Sequence, residues 1–127
     1  MNPPVPAVLA ELAGLIVRNT APDVAPAERA SDLGLTAALL GVAAEMWDRQ
    51  AAILVDENRA VRALLDETGQ DTDLRISALQ TENDRLRAAL ITAHAAAEAA
   101  GDTARQDAIW AELAASTERR KLSTAPV

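Results

Sequence analysis

The sequence contains a single histidine and no cysteine, so few residues could bind a metal or act as a nucleophile. His94 lies four residues before Glu98, and on a helix this spacing places both side chains on one face, where they could bind a metal or relay a proton. Without cysteine there is no disulfide, thiolate zinc site or thiol nucleophile. The chain also lacks a Gly-x-Ser-x-Gly turn and a Gly-rich phosphate loop. We expect no enzymatic activity and no cofactor, and His94 with Glu98 is the candidate metal pair.

Two polar residues interrupt an otherwise apolar helical face. Gln50 and Glu57 are flanked at three and four residues by apolar side chains such as Ile53 and Leu54. A carboxylate at such a position either has a raised pKa and binds a cation, a proton or a partner's arginine, or forms a structural pair with an arginine of the chain. Alternatively, the apolar row diverges at Gln50 and Glu57, and water hydrates both polar side chains. We predict that Gln50 and Glu57 are buried polar residues, and the spacing leaves these roles open.

Large apolar residues recur at seven-residue intervals along the segment that positions these two groups. They are Leu33, Leu40, Trp47, Leu54 and Val61. Heptad spacing is typical of coiled coils, and the flanking residues widen this apolar face to about 150° by helical-wheel arithmetic. One partner helix cannot cover such a face. We therefore expect these five residues to form an interface with further helices, from the same chain or from a second copy.

A second heptad pattern follows closer to the end of the chain. It consists of Ile76, Leu79, Asn83, Leu86 and Leu90. Over about 15 residues it resembles a leucine zipper, in which a buried Asn fixes the register of a parallel pair. The resemblance implies a route to dimerisation and a buried Asn83. The preceding segment is acidic instead of basic, so DNA binding is not expected.

Helix-breaking residues divide the chain into four predicted helices. A proline-rich lead-in, a second segment with two prolines and two later glycines mark the breaks. The helices are expected at 6–19, 25–68, 72–100 and 102–121, with a frayed tail at 122–127.

The two glycine breaks predict how neighbouring helices are joined. Gly69 fits the left-handed residue that closes the long helix, with Asp71 or Thr72 as the next cap, and Gly101 with Asp102 offers the same pair. A turn of four residues favours antiparallel packing of the two helices beside it.

The last predicted helix carries Trp110 and ends in Arg119, Arg120 and Lys121. Basic residues there complement the carbonyl end of the helix dipole. Alternatively, an acidic partner docks on them, with Trp110 as an anchor at the interface.

Composition sets the class of protein. Of 127 residues half are hydrophobic, and Phe and Tyr are absent, so helix formers dominate and strand formers are scarce. The net charge of -7 opposes binding to nucleic acid. No apolar run reaches the roughly 18 residues of a membrane span, and no secretory signal is recognisable at the first residues. A cytoplasmic protein is expected.

The sequence thus predicts one all-α domain, 1–127, built as an elongated antiparallel helical bundle or a long helical hairpin of three to four helices. We expect a non-enzymatic interaction module that forms a homo-oligomer, with a dimer favoured, or binds another protein as an adaptor. The alternative is a bundle that binds a small ligand or a metal at a polar interior site. In composition the chain is similar to secretion and flagellar export chaperones and other adaptors.

Overall fold

The computed structural model describes residues 4–123, without the side chains of residues 20, 21 and 28–30. Its α-helices are α1 (Val5–Leu15), α2 (Pro26–Glu28), α3 (Gly34–Leu64), α4 (Ile76–Ala100) and α5 (Thr103–Arg120). Residues 4–123 contain no β-strand, so the all-α prediction is confirmed. None of the helices in this range is long and apolar enough to cross a membrane.

The segment between α1 and α3 is less regular than predicted. It contains π-helical turns at Ile16–Thr20 and Arg29–Leu33 and a 3-10 turn at Ala21–Asp23. Pro22 and Pro26 lack backbone donors, so they cannot supply the hydrogen bonds of one continuous helix through this segment. The long helix therefore begins at Gly34 instead of residue 25.

The described residues group into two compact units, where the length had predicted one domain. The first comprises residues 4–49 and 122–123, and the second comprises Gln50–Lys121. The buried large apolar side chains all belong to the second unit, because Ala44 is the only buried residue described in the first.

In the first unit, the chain returns to α3 after α5. The backbone N–H of Ser123 donates to both carboxylate oxygens of Glu45, at 2.9 and 3.1 Å. This hydrogen bond lowers the pKa of Glu45. Of the predicted frayed tail, residues 124–127 lie outside the described range.

The core of the second unit is formed by α3, α4 and α5. Its central cluster is Val61, Leu86, Leu90 and Ile109, with Leu64, Leu65 and Leu113 packed against it. Burying one such side chain contributes about 1.5–3 kcal/mol. This cluster holds the three helices together and positions the polar groups described below.

Helix α5 runs antiparallel to α3. Near its start, the guanidinium of Arg105 donates to the carbonyl of Leu64 at the end of α3, at 2.9 Å. Near its end, Arg120 binds Glu57, which lies two turns earlier on α3.

Helix α5 is also antiparallel to α4. Near the start of α5, Gln106 donates to the carbonyl of Ala97 near the end of α4, at 3.4 Å. Ten residues further along α5, the hydroxyl of Ser116 accepts a hydrogen bond from Arg87, which lies ten residues before Ala97 on α4. Since α5 is antiparallel to both, α3 and α4 run in the same direction. The antiparallel pairing of these two helices that a short turn predicts is therefore wrong.

The connection of residues 65–75 explains this difference. Helix α3 ends at Leu64, and Asp66, with φ 55°, is the left-handed residue that follows it; Gly69 also has a positive φ, 136°, but lies five residues beyond the helix end. Asp71 does not cap α4 but accepts a hydrogen bond from Arg62 at 2.7 Å. The buried arginine thus brings the connection back along α3, and the first turn of α4 lies beside Asn58, whose Nδ2 donates to the carbonyl of Leu79 at 3.3 Å.

The break between α4 and α5 is formed as predicted. Gly101 is left-handed, with φ 67°, and the Asp102 carboxylate accepts from the backbone N–H of Arg105 at 3.0 Å. Asp102→Ala removes this cap, so we expect the free energy of unfolding to fall by about 1 kcal/mol and the melting temperature by about 3–6 °C. Thermal unfolding followed by circular dichroism measures both. Asp107→Ala, on the exposed face of α5, is the control, and equal effects of the two changes would contradict the capping role.

Candidate functional site

A buried carboxylate lies at the centre of the second unit. Glu57 is fully buried on α3 and faces both α4 and α5. Its Oε1 accepts from the Ser116 hydroxyl at 2.6 Å and from Arg120 Nε at 2.7 Å. Its Oε2 accepts from Arg120 Nη2 at 2.5 Å, Arg87 Nη2 at 3.2 Å and Asn83 Nδ2 at 3.3 Å. Glu57 therefore joins the three helices through one side chain.

The surroundings of Glu57 keep its carboxylate ionised. Burial raises its pKa, but the hydrogen bonds from Arg120 and Ser116 and the positive charge of Arg120 lower it further, to about 2. The hypothesis of a raised pKa is therefore wrong, and the structural pair with an arginine is what the chain forms. A carboxylate with this pKa is a poor general base near neutral pH.

Two asparagines extend the network from Glu57 towards the connection. Asn83 donates to Glu57 and, at 3.0 Å, to Asn58, and its own oxygen accepts from Arg87 Nε at 3.1 Å. Asn58 donates in turn to Asp71 at 3.2 Å and to the carbonyl of Leu79. Both amides are fully buried, and each uses its NH₂ group for two hydrogen bonds.

A second set of ion pairs holds the connection against α3 and α4. Arg62 is 7% exposed and binds both Asp71 and Glu82, the latter at 2.9 Å. Arg85 bridges Glu82 and Glu67. The hydrogen bond from Arg85 lowers the pKa of Glu82, and burial raises it. The hydrogen bond from Arg62 lowers it again, so that the pKa is about 2. These contacts define the path of residues 65–75.

The structure joins two of the three predicted buried polar residues. Glu57 and Asn83 are both fully buried and bonded to each other. Gln50 is only partly buried, and its Oε1 has no hydrogen-bond partner among the described residues. The predicted polar interior is therefore real at Glu57 and does not extend to Gln50.

Six further members of the network were not predicted. They are Asn58, Arg62, Asp71, Arg87, Ser116 and Arg120. A signal existed for Asn58, which falls at heptad spacing in the row of Ala37, Ala44, Ala51 and Leu65. Arg120 was assigned to the helix dipole, and no local pattern connects it with a glutamate 63 residues away.

The candidate metal pair does not form a larger ligand set. The His94 ring meets Trp110 edge-on, with ring centroids 5.5 Å apart, and its Nε2 is buried without a partner in the described part of the chain. Glu98 is exposed. Within residues 4–123 no group of three or more histidine, aspartate or glutamate side chains could hold a metal ion.

The predicted interface residues differ in exposure. Leu54 and Val61 are 0% and 2% exposed, since they pack within the chain's own core and are not accessible to another protein. Leu33 and Leu40 are partly buried. The two tryptophans, Trp47 and Trp110, remain 61% and 59% exposed. The heptad residues near the end of α3, Leu54 and Val61, are thus covered by the chain's own core, whereas Trp47 is exposed.

The basic end of α5 is ion-paired within the chain. Arg119 binds Glu112, Arg120 binds Glu57, and Lys121 binds Glu118. These charges therefore act within the second unit, where Leu74, Ile76, Ile91 and Trp110 are the exposed large apolar side chains among the described residues. Searches against protein families, curated proteins and solved structures found no match to this chain.

Proposed function

We propose that this protein is a helical interaction module that self-associates and acts by protein contact, without catalysing a reaction. The observation that carries the proposal is the exposure of large apolar side chains in the first unit. They are Val5, Val8, Leu12, Leu15, Val17, Leu35, Leu39, Trp47 and Leu122, each between 37% and 61% exposed. Exposed apolar patches mark interaction sites in soluble proteins, and three of these side chains, Leu35, Leu39 and Trp47, lie along one helix.

The first helix supports the same proposal. Helix α1 has 11 residues, none of them buried, and Glu11 is its only ionisable residue. An isolated helix of this length is marginal in water, and a helix that is apolar on all sides is normally covered by other elements. A partner that covers this unit would supply the burial that the chain itself does not.

The polar network fits a structural role in such a module. Both carboxylate oxygens of Glu57 accept hydrogen bonds from the chain's own side chains, which supports a structural role for this residue. A satisfied polar layer specifies how helices pair, as a buried Asn does in coiled coils. The network would give the second unit one defined arrangement, leaving the first unit to bind a partner.

Replacing Trp47 tests the proposal. Trp47→Asp puts a charge into the exposed apolar surface, and we expect the dimer dissociation constant to rise about 30-fold, as for a binding hot spot. Light scattering on a sizing column, over a concentration series, measures the molar mass against the 13.3 kDa of one chain.

Ala52→Asp is the matched control, since it adds the same charge at an exposed position of α3. This variant should keep the mass of the wild type, and circular dichroism should show unchanged helicity in both. A wild type that remains monomeric at every concentration would contradict self-association, as would a Trp47→Asp variant with wild-type mass.

A further inference from the structure

Helix α3 carries an apolar row on its exposed side. The α3 stripe consists of Leu35, Leu39, Ala43 and Trp47, at four-residue intervals, and all four are exposed. Leu35 and Leu39 are 59% and 58% exposed. None of the four is ionisable, and the stripe spans about 18 Å along the helix at 1.5 Å per residue. It forms a continuous, uncharged surface on a long regular helix.

The first helix does not cover this stripe within the chain. A shallow groove between α1 and α3 is lined by Pro6, Ala7, Ala10, Ala44, Glu45, Asp48 and Arg49. At 100° per residue, the mean direction of the α3 residues in this groove lies about 170° around the helix from the mean direction of the stripe. α1 therefore packs beside the opposite side of α3, and the stripe stays exposed among the described residues of the first unit.

We propose that a second copy of the chain covers the α3 stripe, and that the two copies pair there with their α3 helices antiparallel. This inference rests on the proposed function, because it names the partner of the same surface. A two-fold axis near the middle of the stripe places Leu35 opposite Trp47 of the other copy and Leu39 opposite Ala43. Leu39 then lies beside the small Ala43 and Leu35 at the level of Trp47, whereas a parallel pair would set Trp47 against Trp47.

The size of the stripe agrees with a reversible dimer. The stripe consists of only four residues, so two copies bury at most about the 1,000 Å² that marks the lower limit for a specific interface. The chain has a net charge of -7, which opposes association in general. An uncharged stripe avoids placing like charges in direct contact. We therefore expect a dimer whose population depends on protein concentration.

The absence of cysteine from the chain allows a disulfide test of the orientation without background. One sample contains Leu35→Cys, another contains Met46→Cys, and the third is their equal mixture. In the antiparallel pair, residue 35 of one copy lies at the level of residue 47 of the other. Residue 46 is therefore offset from residue 35 of the other copy by only about 1.5 Å along the helix axis. Two Leu35→Cys positions lie about 18 Å apart, beyond the reach of a disulfide.

Under mild oxidation we expect about tenfold more disulfide-linked dimer in the mixture than in either single sample. A mixture of Leu35→Cys with Ala52→Cys is the control, since Ala52 is exposed on the other side of α3. It should give no more product than the single samples. Circular dichroism and light scattering of the reduced variants confirm that they fold and associate as the wild type does.

The outcomes separate the two proposals. If the wild type forms dimers but the cross-linked product of the cysteine variants appears mainly in the single samples, the antiparallel pairing is overturned and self-association stays intact. Dimers without cross-links in any sample would show that the α3 stripe is not the interface. A monomeric wild type would overturn the proposed function together with this inference.

Discussion

Replacing Glu57 with alanine should lower the free energy of unfolding by about 3 kcal/mol, because removal of one partner leaves a buried ion pair uncompensated. The change deprives Arg120, Arg87 and Ser116 of the same acceptor. Arg120 and Arg87 are 44% and 34% exposed at their side chains, so water can hydrate them and the loss should fall at the lower end of the usual 3–5 kcal/mol. Urea unfolding followed by circular dichroism, at a concentration where the wild type is monomeric, measures the change.

Glu118→Ala is the control for the Glu57 variant. Glu118 forms an exposed ion pair with Lys121, and such pairs contribute about 0–1 kcal/mol. A loss below about 1 kcal/mol for Glu57→Ala would mean that the network does not hold the three helices together.

A double-mutant cycle with Arg120→Ala separates the pair from the rest of the network. If Glu57 and Arg120 interact directly, the double variant should lose about 1–2 kcal/mol less than the sum of the two single variants. Additive losses would contradict a direct interaction between the two side chains.

Acid should destabilise the protein through the same residue. The folded protein holds the pKa of Glu57 at about 2, below the ordinary value of 4.5, because the hydrogen bonds and charge of its partners outweigh burial. A depressed pKa stabilises the fold above pH 4.5, and this contribution disappears as the pH falls from about 4.5 to about 2. The loss amounts to about 3 kcal/mol, at 1.36 kcal/mol per pKa unit. Glu82, whose pKa is also about 2, acts in the same direction.

Urea unfolding at several pH values between about 6 and 3 measures this dependence. Glu57→Gln removes the titrating group and keeps its shape, so stability of the variant should change less with pH than that of the wild type. Glu118→Gln is again the matched control and should follow the wild type. Equal pH dependence in the wild type and Glu57→Gln would show that Glu57 does not control the acid response.

Local patterns in the sequence identified both the helical class and the central carboxylate. Glu57 was predicted to be buried because its neighbours at three and four residues are apolar, and Asn83 because its segment resembles a leucine zipper; both are fully buried. Their partners were not predictable in the same way. Arg120 meets Glu57 only after the chain has passed through two further helices, so no spacing rule relates the two residues.

The heptad on α3 shows the same limit. Leu54 and Trp47 occupy equivalent positions in the repeat, and either could have been buried. Leu54 is covered by the chain's own helices, whereas Trp47 is 61% exposed. A repeat specifies which side chains share a helical face, and the path of the rest of the chain decides which of them are covered.

The sequence by itself determined the helical class and the α4–α5 break at Gly101 and Asp102, since propensity, glycine conformation and capping act over a few residues. Only the tertiary structure decided that α3 and α4 run in the same direction, because Arg62 holds Asp71 of the connection against α3. The same packing decided that Glu57 is an ionised structural carboxylate, because its pKa depends on which charges approach it in space.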